Sequence, residues 1–137
     1  MQPPPDLKSL VPVASLFADP CVRLGSWAGG ETTDGITQFP YYVLSPEAQT
    51  FVSAVHAGNW VKPEINWSAE AERERYLRLC TAAGAIETAT IDDLVHLLTT
   101  LIRGDRFNEG MLAKAFEDGV IHRILARSVI LSQNEEL

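Results

Sequence analysis

Between Arg103 and Glu109 the chain places two guanidinium groups, Arg103 and Arg106, beside two carboxylates, Asp105 and Glu109, around a single Phe107. Arginines this close can fork onto a carboxylate or a phosphate, each donating parallel N–H bonds in one plane. A local structural account competes with that chemistry. Asp105 suits the N-cap of a helix starting near Arg106, where its carboxylate would accept backbone N–H bonds. Glu109 would then lie in the first turn, where negative charge is stabilised. Arg103 would end the preceding helix, where a cation faces the last carbonyls. Arg106 alone lacks such a reason, because its sign is wrong for a helix N-terminus. Its expected partner is a carboxylate, with Asp105 or Glu109 nearest and Glu117 or Asp93 across a helix contact. The cluster therefore reads first as a corner brace and second as a pocket for an acid or phosphate group.

Other reactive residues are scattered. His56, His96 and His122 fall on three different helical patterns, and nothing in their spacing asks for a shared metal. Cys21 and Cys80 lie far apart and outside any C-x-x-C pair, which reads as free thiols in a reducing compartment. The sequence holds no phosphate-binding loop, dinucleotide fingerprint, zinc-protease motif or nucleophile elbow. No catalytic residue, metal or cofactor is expected on these grounds. Arg103-Gly104-Asp105 matches an adhesion tripeptide, but three residues joining two helices are too weak a match to carry that function. Trp27, Trp60 and Trp67 fall in or near loops, where aromatic side chains serve as interface anchors. Their competing role is to fill the gap between a hairpin and helices.

These residues need a scaffold. Leu7, Leu10, Val11, Ala14 and Phe17 recur at helical spacing, with Ser9 as the cap and Pro12 tolerated in the first turn. Residues 25–43 change to glycine, threonine and aromatics. There Asp34-Gly35 predicts a tight turn joining strands of roughly 27–33 and 36–43, and Pro40 makes the second an edge strand. The next helix has Ser45 as N-cap, Pro46 in its first position, Ala48, Phe51, Val52 and Val55 inward, and Gly58 as a left-handed terminator. Ser68 is expected to cap a third helix reaching Gly84, with Tyr76, Leu79, Cys80 and Ala83 inward and its Glu/Arg run on a solvated face. Thr90 caps the strongest stripe: Ile91, Leu94, Val95, Leu98, Leu101 and Ile102, widened by Leu97. That width marks a central helix. Helices near 106–118 and 120–131 complete the set.

The chain has 137 residues, a net charge of −7 and a pI near 4.8, with 46% apolar and 21% charged residues. Such values describe an ordinary globular chain, expected as a single domain over 1–137 with flexible ends at 1–6 and 132–137. The acidic balance argues against a grip on nucleic acid phosphates. Helices joined by short turns over 90–131 suggest a helix-turn-helix, but that segment carries five Lys/Arg against six Asp/Glu. No apolar stretch approaches the roughly 18 residues of a membrane span, and residues 1–6 do not open a secretory signal. A cytoplasmic protein without membrane contact is expected.

The segments "LLTTLIRGDRFNEGMLAKAFEDGVIHRIL" and "FPYYVLSPEAQTFVSAVHAGNW", with the Trp67 region, resemble a family of small prokaryotic proteins known as a domain of unknown function. The resemblance covers roughly residues 25–127 and is most specific over Arg103 to Gly110, with Gly119 and Ile121 beyond. In that family the position of Gly104 is usually alanine, and an acid often stands where this chain has Asn66. The resemblance implies a shared domain and no particular activity.

The expected fold is mostly α (α+β in the loose sense): a compact bundle of about six helices with one small β-hairpin. The expected function is a non-enzymatic protein–protein interaction module, in one version a bacterial or phage-encoded accessory or inhibitor binding a basic host protein. The alternative is a small enzyme or ligand-binding protein with a polar pocket at Arg103, Asp105, Arg106 and Glu109. Homo-oligomerisation through the open edge of "FPYYV" stays open.

Overall fold

A computed structural model describes residues 4–30, 32–37, 41–66, 68–105 and 110–135. The architecture is mostly α with a small hairpin, as the periodicities predict. A short 3-10 turn, Leu7–Leu10, leads into α1, Val11–Phe17. Asp6 rather than Ser9 caps this entry, accepting from the Lys8 amide at 3.0 Å, while the Ser9 hydroxyl donates back to the Asp6 carbonyl at 2.8 Å. The Asp6 amide also donates to the Gly58 carbonyl at 2.8 Å. Asp6 is thus tied down, not part of a loose lead.

The hairpin comprises β1 (Gly25–Ala28), β2 (Thr32–Thr33), β3 (Ile36–Thr37) and β4 (Tyr41–Leu44). β1 pairs antiparallel with β4 and β2 with β3, and equal stretches separate the two ladders on each side, so one register runs through both. Asp34 and Gly35 both have positive φ, 53° and 79°, as a tight turn between right-twisted strands demands. Gly25 has a different reason: a Cβ there would collide with the Val43 carbonyl. The Ser45 amide donates to the Leu24 carbonyl at 2.8 Å and its hydroxyl to the Arg23 carbonyl at 2.6 Å, which anchors the hairpin base to the next helix.

That helix, α2 (Pro46–Ala57), has the predicted Ser45 cap, which accepts from the Ala48 amide at 3.1 Å. Its terminator differs from the expectation. Gly58 sits at φ −86°, and Asn59, at φ 62°, is the left-handed residue. Gly58 is needed for close approach, because a Cβ would run into Ser9 and the Trp60 ring.

α3 spans Glu70–Thr81, starting after Ala69 without a side-chain cap and stopping before the expected Gly84. Ser68 instead donates to the Asn66 side chain at 3.1 Å. α4 (Ile91–Asp105) opens with a reciprocal capping box. The Asp93 amide donates to the Thr90 hydroxyl and the Thr90 amide to the Asp93 carboxylate, both at 3.1 Å. Leu94 through Ile102 are all buried, so α4 is the axis of the core. Each fully buried Leu there contributes about 1.5–3 kcal/mol relative to exposure.

α5 is short, Met111–Glu117, and α6 runs Val120–Glu135. Residues 132–135, expected to fray, continue α6, with Ser132 buried and donating to the Val129 carbonyl at 2.7 Å. One hydrophobic cluster joins every helix: α1 and the 3-10 turn pack on α6 and α2, α3 packs on α4, and α5 packs on α4 and α6. Phe17 is a hub, with Phe51 at 5.8 Å tilted and Phe116 at 5.9 Å edge-on. No helix among the described residues is long and apolar enough to cross a membrane.

Candidate functional site: a groove between α3 and α5

The two described members of the polar cluster, Arg103 and Asp105, have separate backbone partners. Arg103 points away from its own helix end. Its Nη1 donates to the carbonyls of Pro63 and Ile65 at 3.1 and 3.0 Å. One turn earlier, the Thr99 hydroxyl donates to the Trp60 carbonyl at 3.2 Å and accepts from the Lys62 amide at 3.1 Å. Thr99 and Arg103 share a helix face and together pin the loop at 60–65 to α4. Asp105 is the last residue of α4, not a cap placed just before its helix. Its Oδ1 reaches over the corner to accept from the Leu112 amide at 3.0 Å, in the first turn of α5. Arg106 and Glu109 lie outside the described residues, as do Phe107 and the expected helix start near Arg106.

The tryptophans also part company. Trp60 is fully buried, and its indole N–H donates to the Asp6 carbonyl at 3.2 Å and the Ser9 hydroxyl at 3.0 Å. It clasps the N-terminal turn to α2 and has no face left for a partner. Trp27 is 57% exposed and stands edge-on to Tyr42, with ring centroids 5.3 Å apart. Trp67 lies outside the described residues.

The histidines do not converge. His56 is exposed at the end of α2, and His122 packs its ring on Phe116 at 4.9 Å. His96 is fully buried on α4, with Nδ1 2.8 Å from a Glu72 carboxylate oxygen. Burial, with help from the nearby Arg75 charge, pushes the His96 imidazole below its ordinary pKa, against the pull of Glu72 and Asp93. Arg75 itself bridges α3 to α4, reaching Asp92 at 3.0 Å and Asp93 at 2.8 Å. The strong ion pairs of α3 therefore run between helices. Among the described residues no group of His, Cys, Asp and Glu could hold a metal ion.

Room for a partner lies elsewhere, in more than one cleft among the described residues, and the more enclosed of the two larger ones involves α3. α3 and α5 both pack against α4 or α6 without packing extensively on each other. A cleft of about 580 Å³ lies between them, lined mainly by apolar surface of Tyr76, Leu77, Cys80, Met111, Ala115 and Val120. That volume falls in the usual range for binding clefts, about 300–1,000 Å³. Leu77 is 59% exposed on its wall. Gly110, at φ 96°, closes one end, and a Cβ there would sit 3.5 Å from the Trp27 ring. Two of the exposed large apolar side chains thus stand at the groove, Leu77 on its wall and Trp27 near its Gly110 end. Lys114 and Asp118, ion-paired at 3.3 Å, sit on the rim.

Two titratable groups inside are shifted by burial. Burial raises the Cys80 thiol, with Tyr76 and Arg123 partly opposing and Asp118 adding to the rise. Burial also holds the Tyr76 phenol protonated, reinforced by Cys80 and the Asp118 charge. A thiol kept protonated in apolar surroundings is a poor nucleophile. The sequence reading missed the cleft, although Leu77 is a signal: an apolar residue among the Glu and Arg of α3, off the stripe formed by Tyr76, Leu79 and Cys80.

A small helical domain with a hairpin, a braced α4–α5 corner and an open apolar groove is the class of object these features define. The chain belongs to a family of unknown function, DUF6508, whose model matches residues 2–134. The match extends past both ends of the segment that carried the resemblance. No curated protein and no solved structure matches the chain.

Proposed function

We propose that the protein acts by binding another protein, and that the groove between α3 and α5 is the binding surface. The observation that supports this reading is an apolar cleft with Leu77, more than half exposed, on its wall, and with the exposed Trp27 ring close to Gly110 at one end. Exposed apolar surface of this kind costs solubility and is commonly a contact surface. The rival reading, a polar ligand pocket at the α4–α5 corner, loses support because Arg103 and Asp105 are already occupied with backbone partners. A small acidic binder would serve as an accessory or inhibitor of a basic partner. The free thiols Cys21 and Cys80 favour a cytoplasmic setting.

The test is site-specific photo-crosslinking from position 77, with the exposed position 64 as the control, followed by purification of the captured protein. The purified partner should bind wild type and lose about tenfold or more in affinity with Leu77→Asp, a cost of about 1.4 kcal/mol. The melting temperature of that variant should stay near wild type. Equal crosslinking from position 64, or undiminished binding by Leu77→Asp, would refute the reading.

A further inference from the structure

α3 is attached to the domain with little apolar burial. Leu79 is its buried residue, with Tyr76 and Cys80 half-buried beside it. Its first turn has no side-chain cap, and among the described elements only α4 packs on it extensively. Two polar contacts add to the attachment. Arg75 reaches Asp92 at 3.0 Å and Asp93 at 2.8 Å, and Glu72 lies 2.8 Å from His96 Nδ1. Glu72 and Arg75 are neighbours at helical spacing on α3, as Asp93 and His96 are on α4, so the two contacts lie side by side. They differ in their access to water. The Arg75 side chain and both its partners are partly open, whereas His96 is fully buried and its Nε2 has no hydrogen-bond partner among the described residues.

A neutral imidazole suits that setting, with one ring nitrogen a donor toward Glu72 and the other an acceptor. A second proton changes the balance. It makes Nε2 a donor without an acceptor and places a charge in the core. Burial comes first in holding the ring below its ordinary pKa; Arg75 from α3 acts in the same direction, and Glu72 from α3 and Asp93 from α4 itself oppose it. Among the described residues, no charged group of α5, α6 or the loop at 60–65 joins these three.

We propose that α3 is a pH-released flap, docked on α4 while His96 is neutral and let go when His96 takes a proton. With α3 released, the imidazole faces water and titrates at about 6.5 like a free histidine. Docking is therefore whole above about pH 6.5, and release gains as pH falls from there through the folded value, by up to about tenfold per pH unit. A helix held by few buried apolar contacts is the kind of segment that opens without global unfolding. Because α3 carries Tyr76, Leu77 and Cys80, its release also removes one wall of the groove. Release of this kind does not depend on the groove's having a partner.

The test is amide hydrogen exchange of the full chain, expressed as protection factors so that the intrinsic pH dependence of exchange drops out. At about pH 7.5 the amides of α3 should be at least about tenfold less protected than those of the core turns of α4 and α6. At about pH 5.5 the protection of α3 should fall further, by about three- to tenfold. His96→Gln, which cannot charge, should keep the lower protection of α3 and lose the fall. In the wild-type chain the His96 ring, followed by NMR, should titrate below about 6.5. Protection of α3 equal to that of α4 and α6 would overturn the proposal, because α3 would then leave only with the whole fold. The same holds for an unchanged protection at the lower pH, a fall of equal size in His96→Gln, or a ring that titrates at or above about 6.5. Should His96→Gln fail to fold, the wild-type exchange and the ring titration still decide.

Discussion

Replacing Asp105 by alanine tests whether the conspicuous charge cluster is a brace. α5 has only the residues from Met111 to Glu117, and its N-cap is Gly110, which has no side chain to offer. The first amides of a helix lack intrahelical partners, and here the Leu112 amide is satisfied by Asp105 Oδ1 at 3.0 Å in a half-buried setting. Loss of a cap costs about 0.5–2 kcal/mol, and leaving a donor partly buried without a partner pushes the value toward the top of that range. A cost of about 1–2 kcal/mol should lower the melting temperature by about 3–8 °C for a chain of this size. Asp105→Asn keeps an acceptor oxygen in place and should recover most of the loss, apart from a charge–dipole contribution of about 0.3–1 kcal/mol. Thermal melts followed by circular dichroism, checked by urea unfolding with an unchanged m-value, measure both variants. Melting of Asp105→Ala at the wild-type temperature would refute the brace. So would equal, large losses in both variants, because then the charge and not the acceptor would matter.

Two further outcomes are expected. Trp60→Phe removes an indole N–H shared between Asp6 and Ser9 and leaves a gap in the core. It should cost about 1–3 kcal/mol in urea unfolding, while leaving groove binding unchanged. His96 makes stability depend on pH. Its folded pKa lies below the ordinary 6.5, so the unfolded chain takes up a proton that the folded chain refuses. Its contribution is whole above about pH 6.5 and is lost as pH falls from there through the folded value. Urea midpoints measured from about pH 8 to about pH 5 should decline in wild type and decline less in His96→Gln.

The helices were legible where local periodicity decides them. The stripe from Leu94 to Ile102 announces a central helix because only burial on nearly all sides accounts for so many apolar positions in succession. Capping residues were legible where the cap is local, as at Ser45 and Thr90. Partners distant in sequence were not. Arg103 looks like a helix-end cation in isolation, and its real acceptors are carbonyls 40 and 38 residues away. Gly58 was read as a backbone signal, whereas its lack of a side chain matters because Ser9 and Trp60 press against it. Trp60 could not be told from Trp27 by its loop context, since burial depends on where the N-terminal turn docks. The groove is the hardest case. It exists because two helices fail to meet, and no residue pattern encodes a missing contact; the exposed Leu77 is only its trace.

The packing of the first helical segment on the last has a consequence for how the chain comes into being. Residues 7–17 can dock on α2 through the Trp60 clasp soon after they are made, but the other half of their apolar surface waits for α6, from Val120 onward. During synthesis Leu10 and Phe17 must therefore stay available, yet out of trouble, until nearly the whole chain has emerged. Closing such a long loop carries an entropic cost that a bundle of neighbouring helices escapes. Assembly of this domain should be late and all at once, with α6 as the closing piece and the N-terminal clasp as the half-finished structure that receives it.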